Sequence, residues 1–153
     1  MKRRSLVLAF ATLPISTALR ANSPPAAIVV IYKDASCVCC GKWAEHLEAA
    51  GFTVDVREVR STSVMRRQLG MPQEFGACHT AKVGDYVIEG HVPADEVRRL
   101  LAVRPTAIGL SVPRMPVGSP GMEFGNRVDA YEVLLVDRER QATVFARYPK
   151  PNR

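Results

Sequence analysis

Ala27-Ile28-Val29-Val30-Ile31-Tyr32, then Lys33-Asp34-Ala35-Ser36, then Cys37-Val38-Cys39-Cys40-Gly41-Lys42-Trp43 set out a strand, a turn and the start of a helix in that order. The first six residues are apolar and rich in β-branched side chains, the pattern of a strand buried on both faces. Lys33 to Ser36 turn the chain. From Gly41 to Ala50 the apolar residues keep helical spacing: Trp43 and Leu47 are four apart, Ala44 and Ala50 lie beside them, and Glu45 and Glu48 face outward. Gly51 stops this helix.

Working outward, Phe52 to Val59 alternates apolar and polar residues, which is a strand signature. Ser61 or Thr62 caps a short helix carrying Val64, Met65 and Leu69, which ends at Gly70 before Pro72. Ala77 to Val83 and Tyr86 to Val92 read as two strands joined across Gly84-Asp85, an antiparallel hairpin. Pro93 opens a helix over Ala94 to Ala102, with Val97, Leu100 and Leu101 inward and Asp95, Glu96, Arg98 and Arg99 outward. The predicted order is β-α-β-α-β-β-α, an α/β arrangement of thioredoxin-like type. Beyond Pro105 the expectation is a long Gly- and Pro-rich loop over Gly109 to Gly125, holding Met115 and Met122. A further hairpin follows, from Tyr131–Val136 and Ala142–Tyr148.

Three of the four cysteines fall in Cys37-Val38-Cys39-Cys40, and Cys78 follows in Cys78-His79-Thr80. A disulfide framework fits poorly, because bridges within Cys37–Cys39 or Cys39–Cys40 are strained. A C-x-x-C pair placed after a strand and at a helix N-terminus favours thiolates, since free N–H groups and the helix dipole stabilise negative sulfur. Thiolates are both redox nucleophiles and metal ligands. Zinc asks for four separate tetrahedral ligands, which adjacent Cys39 and Cys40 supply awkwardly. Cu(I) is soft, accepts two or three sulfurs and tolerates bridging thiolates, so bunched thiols suit a small cluster of more than one Cu(I). Cys78 is the expected fourth ligand. Strand alternation sets His79 apart from Cys78 as a supporting residue. His46 and His91 read as surface or core histidines, and Met115 and Met122 as loop anchors with thioethers within reach of copper.

Residues 1–21 carry the layout of an export signal: basic Met1-Lys2-Arg3-Arg4, an uncharged apolar stretch from Leu6 to Leu19, then small residues at Ser16, Ala18 and Ala21. The apolar run is short for a membrane span, so no stable membrane insertion is expected after cleavage. Arg3-Arg4 also fits a twin-arginine route beside the general secretory one. The expectation is a periplasmic protein with one domain over residues 22–153. Losing Lys2, Arg3, Arg4 and Arg20 and no acid takes the net charge from +6 to +2. The remaining basic residues are scattered, with Arg66-Arg67 and Arg98-Arg99 read as solvated helix faces, and this excludes a nucleic-acid footprint.

Tyr32-Lys33, Cys37-Val38-Cys39-Cys40-Gly41-Lys42-Trp43, Glu45-His46-Leu47 and Gly51-Phe52 together resemble the CopG-like family of exported bacterial metal-binding proteins associated with copper resistance. Cys78-His79-Thr80-Ala81, Tyr86 to Ala94 and Met115 to Glu123 extend the resemblance to about residues 28–148. The resemblance implies a thioredoxin-like fold with copper held by Cys37, Cys39, Cys40 and Cys78. Val38 departs from the glycine common at that place, and Arg114 from a small residue. A β-branched residue resists positive φ, so the loop geometry differs slightly. Three functions compete: sequestration or transfer of Cu(I), with other periplasmic copper-handling proteins as partners; a thiol or copper oxidoreductase; and an interaction module stabilised by zinc.

Overall fold

The computed structural model describes residues 27–150. The expected signal segment, residues 1–21, lies outside the described residues.

The predicted order of elements is present: β1 (Ile28–Lys33), α1 (Val38–Ala49), β2 (Thr53–Glu58), α2 (Thr62–Leu69), β3 (His79–Val83), β4 (Tyr86–Glu89), α3 (Ala94–Val103), and the closing pair β6 (Tyr131–Val136) and β7 (Ala142–Tyr148). A 3-10 turn at Gln73–Phe75 follows α2, and an additional strand, β5 (Gly109–Ser111), opens the stretch expected to be a loop. All seven strands form one mixed sheet in the order β2-β1-β3-β4-β5-β6-β7. β1 and β2 run parallel, joined by α1. β3 returns antiparallel to β1 with Lys33 opposite His79, and β4 completes the hairpin. β5 joins β4 in parallel, and β6 and β7 extend the sheet antiparallel. Among the described residues the fold is mixed α/β, with three α-helices around a seven-stranded sheet.

Side-chain alternation gives each face its own core. On one face Val29, Ile31, Ala81, Val83, Ile88, Leu110 and Val133 pack with Trp43, Ala44 and Leu47 of α1 and Val97 and Leu100 of α3. On the other, Val87, Val136, Met71, Leu69, Phe75 and Ile108 form a smaller cluster beneath α2. β1 is not buried on both faces as expected: Val29 and Ile31 are fully buried, whereas Val30 and Tyr32 are half-buried and Ile28 is exposed. The α2 side of the sheet carries the smaller apolar cluster, which leaves that face of β1 thinly covered.

Two charged residues also depart from their expected places. Arg66 is buried, because its side chain turns under the sheet to meet Glu89 at 2.7 Å. Glu96 is buried against the last strand, where it accepts a hydrogen bond from the Tyr148 hydroxyl at 2.8 Å. Arg67, by contrast, is exposed as a solvated helix residue should be.

Candidate metal centre

The cluster is assembled from two segments that β1 and β3 bring together. The first is the turn into α1. Asp34 builds it: its carboxylate accepts from the Ser36 backbone N–H at 2.9 Å and from the Ser36 hydroxyl at 2.6 Å, and its carbonyl accepts from Cys37 N at 3.0 Å. Short polar side chains that bond their own following backbone are good at starting such turns. Cys37 is the N-cap of α1, with φ −75° and ψ 92°, so Cys39 and Cys40 lie in the first helical turn, where N–H groups lack helical partners. Helix α1 begins at Val38, three residues before the predicted start, and so takes in most of the thiol motif.

The second segment is the approach to β3. The strand starts at His79 rather than Ala77, so Cys78 precedes it and escapes the alternation that would separate it from His79. Cys78 Sγ lies 3.4 Å from His79 Nδ1 and 3.2 Å from His91 Nε2. It is 4.0 Å from Cys39 Sγ, which is 3.6 Å from Cys37 Sγ. Cys37 and Cys40, the C-x-x-C pair, are joined by a disulfide, and Cys39 and Cys78 are free. The ligand atoms of Cys37, Cys39, Cys40 and Cys78 all lie within 4.8 Å of one another, and so do those of Cys78, His79 and His91. The four cysteines expected to act together are therefore together in space. His79, expected as a supporting residue on the other side of the strand, and His91, expected as a surface or core histidine, both bring a ring nitrogen to Cys78.

The hydrogen bonds of His91 fix its tautomer. Its Nδ1 is 2.8 Å from the carbonyl of Pro120, and a carbonyl only accepts, so Nδ1 carries the proton. The lone pair of Nε2 therefore faces Cys78. His79 is fully buried, with its ring against Trp43 at a centroid distance of 4.4 Å, tilted by 35°, and set edge-on to His91 at 5.0 Å. Its Nε2 has no hydrogen-bond partner among the described residues. Burial, with the neighbouring His91 imidazole, pushes His79 down to about 3, so it is neutral at ordinary pH. Burial also lowers His91, against the opposing effect of its Pro120 bond. Burial chiefly, then the nearby Cys39 sulfur, pushes the Cys78 thiol up to about 12. Without a cation the pocket thus favours neutral groups. A soft cation would supply the charge that stabilises thiolates there, and its binding would displace protons.

His46 stays outside the cluster: its Nε2 accepts from the backbone N–H of Ala94 at 3.1 Å and so caps α3. The Gly- and Pro-rich segment closes one wall of the centre. Gly121 has φ +83°, and a Cβ there would stand 2.8 Å from Trp43 N and 2.9 Å from the Cys39 carbonyl, so only glycine lets the loop lie this close to α1. Cys37, Val38, Cys39, Met115, Met122 and Phe124 line an adjoining cavity of about 430 Å³. Met122 is buried in it, and Met115 is half exposed at its mouth.

Residues 75–122 match the family described as a protein of unknown function, DUF411. The chain is similar to the solved structure of copper resistance protein CopG, form 2, with 44% identity and a TM-score of 0.77, covering 80% of this chain and 98% of that one. For form 1 the identity is 44% and the TM-score 0.76, over 80% and 97% of the two chains. No curated protein matches the chain.

Proposed function

This chain belongs to the CopG family of copper resistance proteins, and on that premise we propose that it binds Cu(I) in the periplasm, as a small thiolate cluster, for sequestration or transfer. The observation that carries this reading is the convergence of four cysteine sulfurs with two imidazoles, one of which aims a lone pair at Cys78. Sulfur and neutral imidazole together form a donor set for a soft or borderline cation. Sulfurs packed this tightly are spaced to share ions by bridging. The ligands we assign are Cys37, Cys39, Cys40 and Cys78, with His79 and His91 as nitrogen donors, and we read the β-α-β-α-β-β-α part of the fold as thioredoxin-like. Residues 1–21 serve as the export signal in this account, and other periplasmic copper-handling proteins are the partners. Among the described residues no helix is long and apolar enough to cross a membrane.

The Cys37–Cys40 disulfide favours a second reading, copper oxidoreduction. The two thiols can give two electrons and two protons to form the bridge while two Cu(II) become two Cu(I). Reduction of the bridge returns both sulfurs to the metal set. The binding reading is tested by anaerobic titration of the fully reduced mature protein with Cu(I). Saturation above one ion per chain supports a cluster, and preference for zinc in direct competition overturns the assignment of copper. The redox reading is tested by adding Cu(II) to the reduced protein and mapping disulfides. It requires a Cys37–Cys40 bridge for every two Cu(I) produced.

A further inference from the structure

Arg66–Glu89 is the one ion pair among the described residues with both side chains buried. It lies on the α2 side of the sheet, opposite Trp43 and His79, and touches none of the sulfurs. What it touches is Ala77, the residue before Cys78. Glu89 Oε1 accepts from Ala77 N at 2.8 Å, and Arg66 Nη2 donates to the Ala77 carbonyl at 2.7 Å. The same Nη2 and Oε1 are 2.7 Å apart, which closes a ring of contacts around one residue and holds the peptide group on each side of it. Gln73 steadies the guanidinium by accepting from Nη1 at 2.9 Å. Gly76 makes the approach possible, since a Cβ there would stand 2.8 Å from Arg66 Cζ.

We propose that Arg66 and Glu89 are positioning residues: by gripping Ala77 they hold Cys78 within reach of Cys39 and so set how tightly the centre binds copper. The inference rests on the copper-binding reading above and adds to it the device that places its fourth sulfur. Because β3 begins only at His79, Ala77 has no ladder partner, and a partly buried peptide unit must find its bonds elsewhere. A buried ion pair is a poor source of stability, because apolar residues of similar volume often serve as well or better. This pair also leaves Arg66 Nε and Glu89 Oε2 without partners. What it supplies that apolar residues cannot is direction: a donor and an acceptor fixed against one donor and one acceptor. Cys37, Cys39 and Cys40 share one helix start and need no such aid. Cys78 comes from a different segment, and its distance to them is set by the peptide that carries it.

The test replaces both charges at once, as Arg66→Met with Glu89→Leu, so that no lone buried charge remains. Two readouts are compared with wild type. One is Cu(I) affinity by competition with a chromophoric chelator. The other needs no metal: with Cys37–Cys40 bridged, diamide takes two electrons and two protons from Cys39 and Cys78, and the rate of that crosslink reports their proximity. The expected result is an apo unfolding midpoint near wild type, affinity lowered about ten- to a hundredfold, and crosslinking slowed by a similar factor. Arg66→Met with Glu89→Gln, which keeps an acceptor for Ala77 without a lone buried charge, should recover part of both. If the double variant does not fold, Gly76→Ala displaces Arg66 and should slow the crosslink in the same way. A folded double variant with wild-type affinity and crosslinking overturns the proposal. So does lowered affinity with unchanged crosslinking, or unchanged crosslinking in Gly76→Ala. Wild-type protein that takes up no Cu(I) overturns the copper reading instead, while slowed crosslinking in the variant still upholds the placement of Cys78.

Discussion

Cys78 Sγ and His91 Nε2 are 3.2 Å apart, with the imidazole held from behind by the Pro120 carbonyl. They are thirteen positions apart in the chain, and between them lie a strand, a turn and a second strand. The relationship makes a hydrogen-bonded pair when the thiol is protonated and offers a sulfur and a nitrogen to a metal when it is not. His91→Phe fills the same space without either bond. It should lower Cu(I) affinity at least about tenfold, and it leaves the Pro120 carbonyl unpaired at a cost of about 1–3 kcal/mol. Chelator competition and urea unfolding measure the two effects separately.

Cys78→Ser tests the fourth sulfur directly. Serine is nearly isosteric, so the apo protein should unfold within about 1 kcal/mol of wild type, as most mild substitutions do. Copper stoichiometry or affinity should fall. Unchanged copper binding would make Cys78 a packing residue only.

Gly121→Ala places a methyl group against Trp43 N and the Cys39 carbonyl at a backbone angle that alanine resists. The strained backbone alone costs about 1–3 kcal/mol, and the loop must draw away from α1. Loss of the Pro120–His91 bond follows, visible as a shift of the His91 ring resonances. The variant should therefore bind copper more weakly than wild type even where it remains folded.

Acid should weaken the metal-free fold. His79 titrates near 3 in the folded protein, because burial opposes its charge, and near 6.5 when unfolded. A depressed folded value means that its contribution to stability is fully present above 6.5. The contribution is lost as pH falls from there towards 3, where the unfolded chain binds the extra proton. His91 is lowered too and acts in the same direction. Each such group contributes a slope of up to about 1.4 kcal/mol per pH unit. Denaturant titrations of apo protein at stepped pH from 7 to 4 should show this decline, and His79→Gln should flatten it. A wild-type response as flat as the variant's would show that the imidazole is not held neutral.

The centre was half legible in the chain. Cys37, Cys39 and Cys40 could be placed because strand, turn and helix follow one another locally, and periodicity reads local structure well. Cys78 joins them as a residue at the start of a strand that, in a thioredoxin-like arrangement, faces the turn carrying the other three. Alternation does not separate His79 from Cys78, because the strand begins only at His79 and leaves Cys78 ahead of it. His91 is buried, one of the two places expected for it, but its approach to Cys78 leaves no local trace: β4 stops at Glu89, so the position of the ring depends on a turn and on the distant Pro120. Arg66 was misread because neighbouring helix positions point in different directions. The signal that could have placed it is Glu89, an acid following apolar Val87-Ile88 in a strand, which calls for a cation to reach it. The stretch 109–125 was expected to lack structure, yet Gly109–Ser111 forms β5, a strand too short to leave a periodic trace.

The pairing of Lys33 with His79 has a last consequence, concerning lengths. Along β3, His79, Ala81 and Val83 face Trp43 and α1, while Thr80 faces Glu89. A shift of one residue exchanges these sets, sending the imidazole to the salt-bridge side and a threonine to the sulfurs. A shift of two restores the facing. The chemistry of the centre is thus tied to odd and even: a single residue gained or lost within β3 keeps the facing only if a bulge absorbs it, as the register shift between Val133 and Leu134 does in the last hairpin.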